Sequence, residues 1–140
     1  MNDRFLFRAK RIDNGEWVCG GSIIRFEDHG IESFYMPDAH EKCICTHDEH
    51  DNITGIEECT FYTVDPSTIC QCTGLRDKTG KLIYENDVVN CSGILKVSWS
   101  EKYSSWCLEA GKWAYQHFFG EACEPCDCEV IGNVFDNQSY

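Results

Sequence analysis

Thr73-Gly74-Leu75-Arg76-Asp77-Lys78-Thr79-Gly80-Lys81-Leu82-Ile83-Tyr84-Glu85-Asn86-Asp87-Val88-Val89 reads as two corners joining three short strands. Asp77-Lys78-Thr79-Gly80 has Asp at the first turn position, where its carboxylate accepts local backbone N–H groups, and Gly at the last. That is a tight reversal. Glu85-Asn86-Asp87 makes a second corner and sends Val88, Val89 and Cys91 into a strand, and Gly93 permits the next turn toward Ile94–Trp99. The class this predicts is all-β.

The same grammar extends toward the N-terminus. Arg4 to Lys10 alternates, which predicts a strand with Phe5, Phe7 and Ala9 on one side, and Asp13-Asn14-Gly15-Glu16 supplies a turn tolerant of positive φ. Trp17-Val18-Cys19 and Ser22–Phe26 read as one continuing strand with Gly20-Gly21 as a bulge, and Asp28-His29-Gly30 turns into Ile31–Met36. This is a meander. Residues 37–58 are polar and acidic without a sustained period, which predicts a Cys/His-rich loop or an inserted hairpin. Strand character returns at Cys59–Val64 and again at Thr68–Thr73. Toward the C-terminus Trp106–Leu108 and Glu129–Asn137 read as strands, while Glu109–Phe119 fits either a short helix or a strand.

Composition narrows the functional classes. The chain has 140 residues, enough to bury about 70% of its unfolded surface. Its formal charge of −12 repels phosphate backbones, so nucleic acid is disfavoured as a partner. The charge is uneven: residues 27–65 hold eleven Asp or Glu against Lys42 alone, while Arg4, Arg8, Lys10 and Arg11 crowd the start. An acidic middle segment keeps a protein soluble and also suits a basic partner. No signal-peptide pattern and no long apolar run is present, so neither export nor membrane insertion is expected. Eleven cysteines, an odd number without an export signal, predict reduced thiols in a cytoplasm instead of a disulfide scaffold.

From Gln71 to Val89 the sequence resembles the YopX-like proteins of bacteriophages and prophages. Further anchors are Phe5-Leu6-Phe7-Arg8-Ala9, Val64-Asp65-Pro66-Ser67-Thr68 and Val130-Ile131-Gly132-Asn133, in the family's order. Cys72 stands where the family usually has an aromatic residue and Asn86 where it usually has Gly, a substitution that a left-handed corner tolerates. The meander is expected over residues 1–66, and the resemblance implies a small SH3-like β-barrel over residues 67–140. It also implies a phage or prophage context, and it carries no catalytic residues onto this chain.

Two segments exceed what that pattern requires. Cys43-Ile44-Cys45-Thr46-His47-Asp48-Glu49-His50 places Cys43, Cys45 and His47 on one side of an extended chain, with His50 nearby, and zinc takes four such ligands. Cys123-Glu124-Pro125-Cys126-Asp127-Cys128 pairs Cys123 with Cys126 and adds Cys128. Solvated surface residues are the competing reading of both. A thioredoxin-like role for Cys123 and Cys126 lacks the strand-to-helix setting that lowers a thiol pKa. Cys70 and Cys72, two apart on one strand, read as small core hydrophobes. His117 is expected in an aromatic patch with Trp113, Tyr115 and Phe118 instead of in a nucleophilic pair.

The resulting expectation is an accessory protein without enzymatic activity or cofactor, working in the host cytoplasm. It would bind a host or phage protein, with self-association into a homo-oligomer as a further expectation. A zinc-stabilised regulatory or nucleic-acid-associated module is the alternative, and a thiol-dependent enzyme the remote one.

Overall fold

The computed structural model describes residues 3–39, 44–58, 60–111, 116–119 and 124–136. The described residues form antiparallel strands and three short 3-10 turns, with no α-helix, so the all-β class holds. No helix among them is long and apolar enough to cross a membrane. Contacts divide the chain into Leu6–Ile69 and a second unit made of Met1–Phe5 with Cys70–Tyr140.

In the unit Leu6–Ile69, β1 (Phe7–Lys10) pairs antiparallel with β2 (Trp17–Gly20), and Gly15 at φ 72° closes the turn between them. Phe5 does not join β1. It belongs to the 3-10 turn Asp3–Phe5 and is exposed, so the strand expected from Arg4 begins at Phe7. Arg8 is buried because its guanidinium lies over the Trp17 ring, 4.5 Å from the centroid, while Lys10 approaches the same ring at 5.4 Å. Two of the basic residues that crowd the start thus serve as aromatic packing.

A three-stranded sheet follows in the order β3 (Ile24–Asp28), β4 (Ile31–Pro37), β7 (Phe61–Thr63). Gly20-Gly21 is therefore not a bulge inside one strand, because β2 and β3 belong to different sheets. The physical reason lies at Gly20, where a Cβ would collide with the Pro37 carbonyl and the Met36 side chain. Within residues 37–58 a hairpin forms from β5 (Ile44–His47) and β6 (Ile53–Glu58), the second of the two expected alternatives. The core of this unit is Ala9, Val18, Met36 and Val64, flanked by Phe7, Ile23, Phe34, Tyr62 and Ile69.

In the other unit, β8 (Cys70–Arg76) pairs with β9 (Leu82–Tyr84) across the Asp77–Gly80 corner. A five-stranded sheet runs β13 (Gln116–Phe118), β12 (Ser105–Glu109), β11 (Ile94–Ser100), β10 (Asp87–Asn90), β14 (Glu129–Asn133). The ambiguous 109–119 segment thus contributes a strand. Asn86 adopts φ 65° at the second corner, and the Asp87 carboxylate accepts the Tyr84 N–H at 2.8 Å. Ile83, Val89, Val97, Leu108 and Cys128 form the core, and Cys70 and Cys72 are also buried.

Candidate interaction surface

The hairpin from β3 to β4 turns through His29 and Gly30, both at positive φ (48° and 80°), the signature of a two-residue turn whose twist matches the strands. The register pairs Ile24 with Tyr35, Phe26 with Ser33 and Asp28 with Ile31 on one face. Arg25 with Phe34 and Glu27 with Glu32 occupy the other face, and β7 extends the sheet by pairing Met36 with Tyr62. Phe34, Met36 and Tyr62 on that second face pack into the core.

The first face has apolar residues too, yet faces water. Ile24, Phe26, Ile31 and Phe61 are 43%, 59%, 70% and 42% exposed. Ile24, Phe26, Tyr35 and Phe61 line an open concavity of about 410 Å³. Scattered exposed apolar residues are ordinary, and a contiguous group on one sheet face is a candidate contact surface. All five residues of β3 are exposed, and the strand is the edge of its sheet among the described residues.

Charge is arranged along that edge. Glu27 and Glu32 sit directly opposite each other, a repulsive cross-strand pair, and Arg25 bridges both, 4.0 Å from Glu27 and in a closer ion pair with Glu32. One guanidinium thus serves two carboxylates.

The residues singled out from sequence are described only in part. Cys43 and Cys123 lie outside the described residues, and Cys45 lies on β5. His47 ends β5 with Nδ1 3.3 Å from the Asp51 carbonyl and 3.6 Å from the Asp51 carboxylate. His50 lies in the following turn, its backbone N–H donating to Asp48 and its ring exposed. Cys126 is exposed in the 3-10 turn Pro125–Asp127, whereas Cys128 is fully buried with Sγ 3.5 Å from the Glu124 carbonyl. These two thiols differ in environment despite their spacing. Among the described residues no three His, Cys, Asp or Glu side chains converge as a metal site. Trp113 and Tyr115 of the expected aromatic patch also lie outside the described residues, while Phe118 meets Tyr103 edge to face at 5.3 Å.

Burial pushes the Cys107 and Cys128 thiols up, with nearby acids adding to the effect, so both are protonated and poorly nucleophilic at neutral pH. Cys19, Cys70, Cys72, Cys107, Cys126 and Cys128 carry no disulfide bond. Cys91 is disulfide-bonded and departs from the reduced thiols expected from the sequence. It follows β10 directly and is packed against the core around Cys128 and Val89, a position where a cross-link fixes the end of a strand.

The β3–β4–β7 face was not singled out from sequence. Ile24-Arg25-Phe26-Glu27-Asp28 does alternate apolar with charged residues, but alternation alone does not say which face the core occupies. The informative signal was β4, where Ile31, Tyr35 and Phe34, Met36 give both faces apolar residues. No curated protein matches the chain. A family model described as YopX protein matches residues 6–139, nearly the whole length, and the chain belongs to the YopX family.

Proposed function

We propose that this chain is a non-enzymatic protein-interaction module, a phage or prophage accessory protein that works in the host cytoplasm through the solvent face of β3, β4 and β7. The supporting observation is the exposed apolar group Ile24, Phe26 and Phe61 around an open concavity, on a sheet whose opposite face already packs the core. Such a face gains from burial on a partner, while the surrounding acids favour a partner with basic residues at its rim. Among the described residues six cysteines carry no disulfide bond, which suits a reducing compartment, while Cys91 is disulfide-bonded.

The test is a pull-down with the full chain from infected host cells, run beside a Phe26→Asp variant. A protein recovered by the wild type and depleted about tenfold or more by the variant is the expected result. Recovery of nothing above background at any expression time, or equal recovery by both forms, counts against the proposal.

A further inference from the structure

We propose that the edge of β3, open among the described residues, pairs with β3 of a second copy of this chain, antiparallel and centred on Phe26, so that Arg25 of each copy lies opposite Glu27 of the other. The inference rests on reading this region as an interaction surface, and it names one occupant.

Backbone direction sets the permitted registers. The Phe34 carbonyl accepts the Val64 N–H at 2.9 Å and so points away from β3. Arg25, directly opposite Phe34, therefore stands in a non-hydrogen-bonded pair, and its own N–H and C=O point to the open edge. By alternation those of Glu27 do the same, while those of Ile24, Phe26 and Asp28 face β4. A symmetric antiparallel partner must match outward groups to outward groups. Three arrangements satisfy this within the strand: Arg25 opposite Arg25, Glu27 opposite Glu27, or Arg25 opposite Glu27 about a two-fold axis at Phe26. The first two put like charges face to face, and only the third is attractive.

The same register has two further merits. Each Glu27, repelled by its own Glu32 and sharing its Arg25, gains a second guanidinium from the copy. Phe26 meets Phe26 across the axis on the apolar face, which joins the two concavities lined by Ile24, Phe26, Tyr35 and Phe61 into one continuous surface. Charges that would otherwise guard an edge against pairing are here placed to choose a single pairing.

Sedimentation velocity over a micromolar-to-millimolar series of the full chain tests this. The wild type is expected to dimerise, and Arg25→Glu or Glu27→Arg alone to weaken dimerisation about tenfold or more. The two single variants mixed together, and the double variant R25E/E27R by itself, are expected to recover it, because opposite charges again meet across the edge. Circular dichroism of each variant separates lost pairing from lost folding. A monomeric wild type, a dimer indifferent to either single change, or single variants that fail to rescue each other while folded would overturn the pairing. A monomeric chain that still captures a partner through Phe26 overturns this inference and leaves the functional proposal standing, whereas a dimer that captures nothing does the reverse.

Discussion

A single carboxylate, Asp77, does most to hold the first corner. Its Oδ1 accepts the Thr79 N–H at 2.8 Å, the Thr79 hydroxyl at 2.7 Å and the Lys81 N–H at 3.0 Å, and its Oδ2 accepts the Val130 N–H at 2.9 Å. Burial raises the carboxyl pKa, but these bonds to the ionised form outweigh it and bring the group down to about 2. Because the folded value lies below the unfolded 3.8, the stabilisation is complete above pH 4 or so. It is lost as pH falls from about 4 to about 2, and its size is about 2 kcal/mol. Asp77→Asn keeps one acceptor and turns an amide donor toward the Val130 N–H, so a loss of about 2 to 3 kcal/mol is expected, together with a flatter stability curve over that acid window. Urea unfolding at a series of pH values measures both, and an unchanged acid limb in the variant would refute the assignment. The turn role of Asp77 was legible from Asp77-Lys78-Thr79-Gly80. Its bond to Val130, 53 residues away, was not, since no local pattern says which strand will lie beside a corner.

At the scale of elements, strands were legible wherever apolar residues alternate between turn formers, and corners wherever Gly or Asn stands at a left-handed position. Sheet membership was less legible: Gly20-Gly21 reads as a bulge until the close approach of Pro37 to Gly20 is known. Likewise, Cys and His in the 43–50 and 123–128 segments were visible as composition, while their directions depend on turns that composition does not encode. Gly74 shows what such local constraints cost. It sits at φ 80° inside β8, where the register with β9 slips between Cys72 and Arg76, and an added Cβ would collide with the Arg4 side chain. Gly74→Ala is therefore expected to destabilise the protein by about 1 to 3 kcal/mol through backbone strain and displacement of Arg4. Asn86→Gly, at φ 65° with the residue usual in the family, is expected to change stability by no more than about 0.5 kcal/mol. Thermal unfolding of the two variants side by side is the check, and equal losses would show that the left-handed geometry is not what matters at Gly74.

For the whole molecule, family membership was legible because its anchors run in order through most of the chain, and SH3-like closure of residues 67–140 stays an implication of that resemblance. The exposed apolar face proposed for interaction was not legible, because Ile24 and Phe26 obey the same alternation as buried strand residues and only the position of the core distinguishes them. Total charge bears on the proposed pairing in a way that strand charges alone do not. Two copies each carrying −12 repel one another over the screening length, about 30 Å at about 0.01 M salt and about 8 Å at about 0.15 M. The Arg25 and Glu27 contacts, between strands about 5 Å apart, lie inside both lengths and are weakened less. Added salt thus removes the long-range repulsion before it erodes the local attraction. Dimerisation is expected to strengthen as sodium chloride rises from about 0.01 to about 0.15 M, then to weaken toward about 1 M, where the screening length is about 3 Å. In the double variant R25E/E27R, which keeps the net charge, the same optimum is expected. Sedimentation across that salt range decides the matter: steady weakening from the lowest salt upward would mean that local pairs outweigh the −12 of each copy, contrary to this balance.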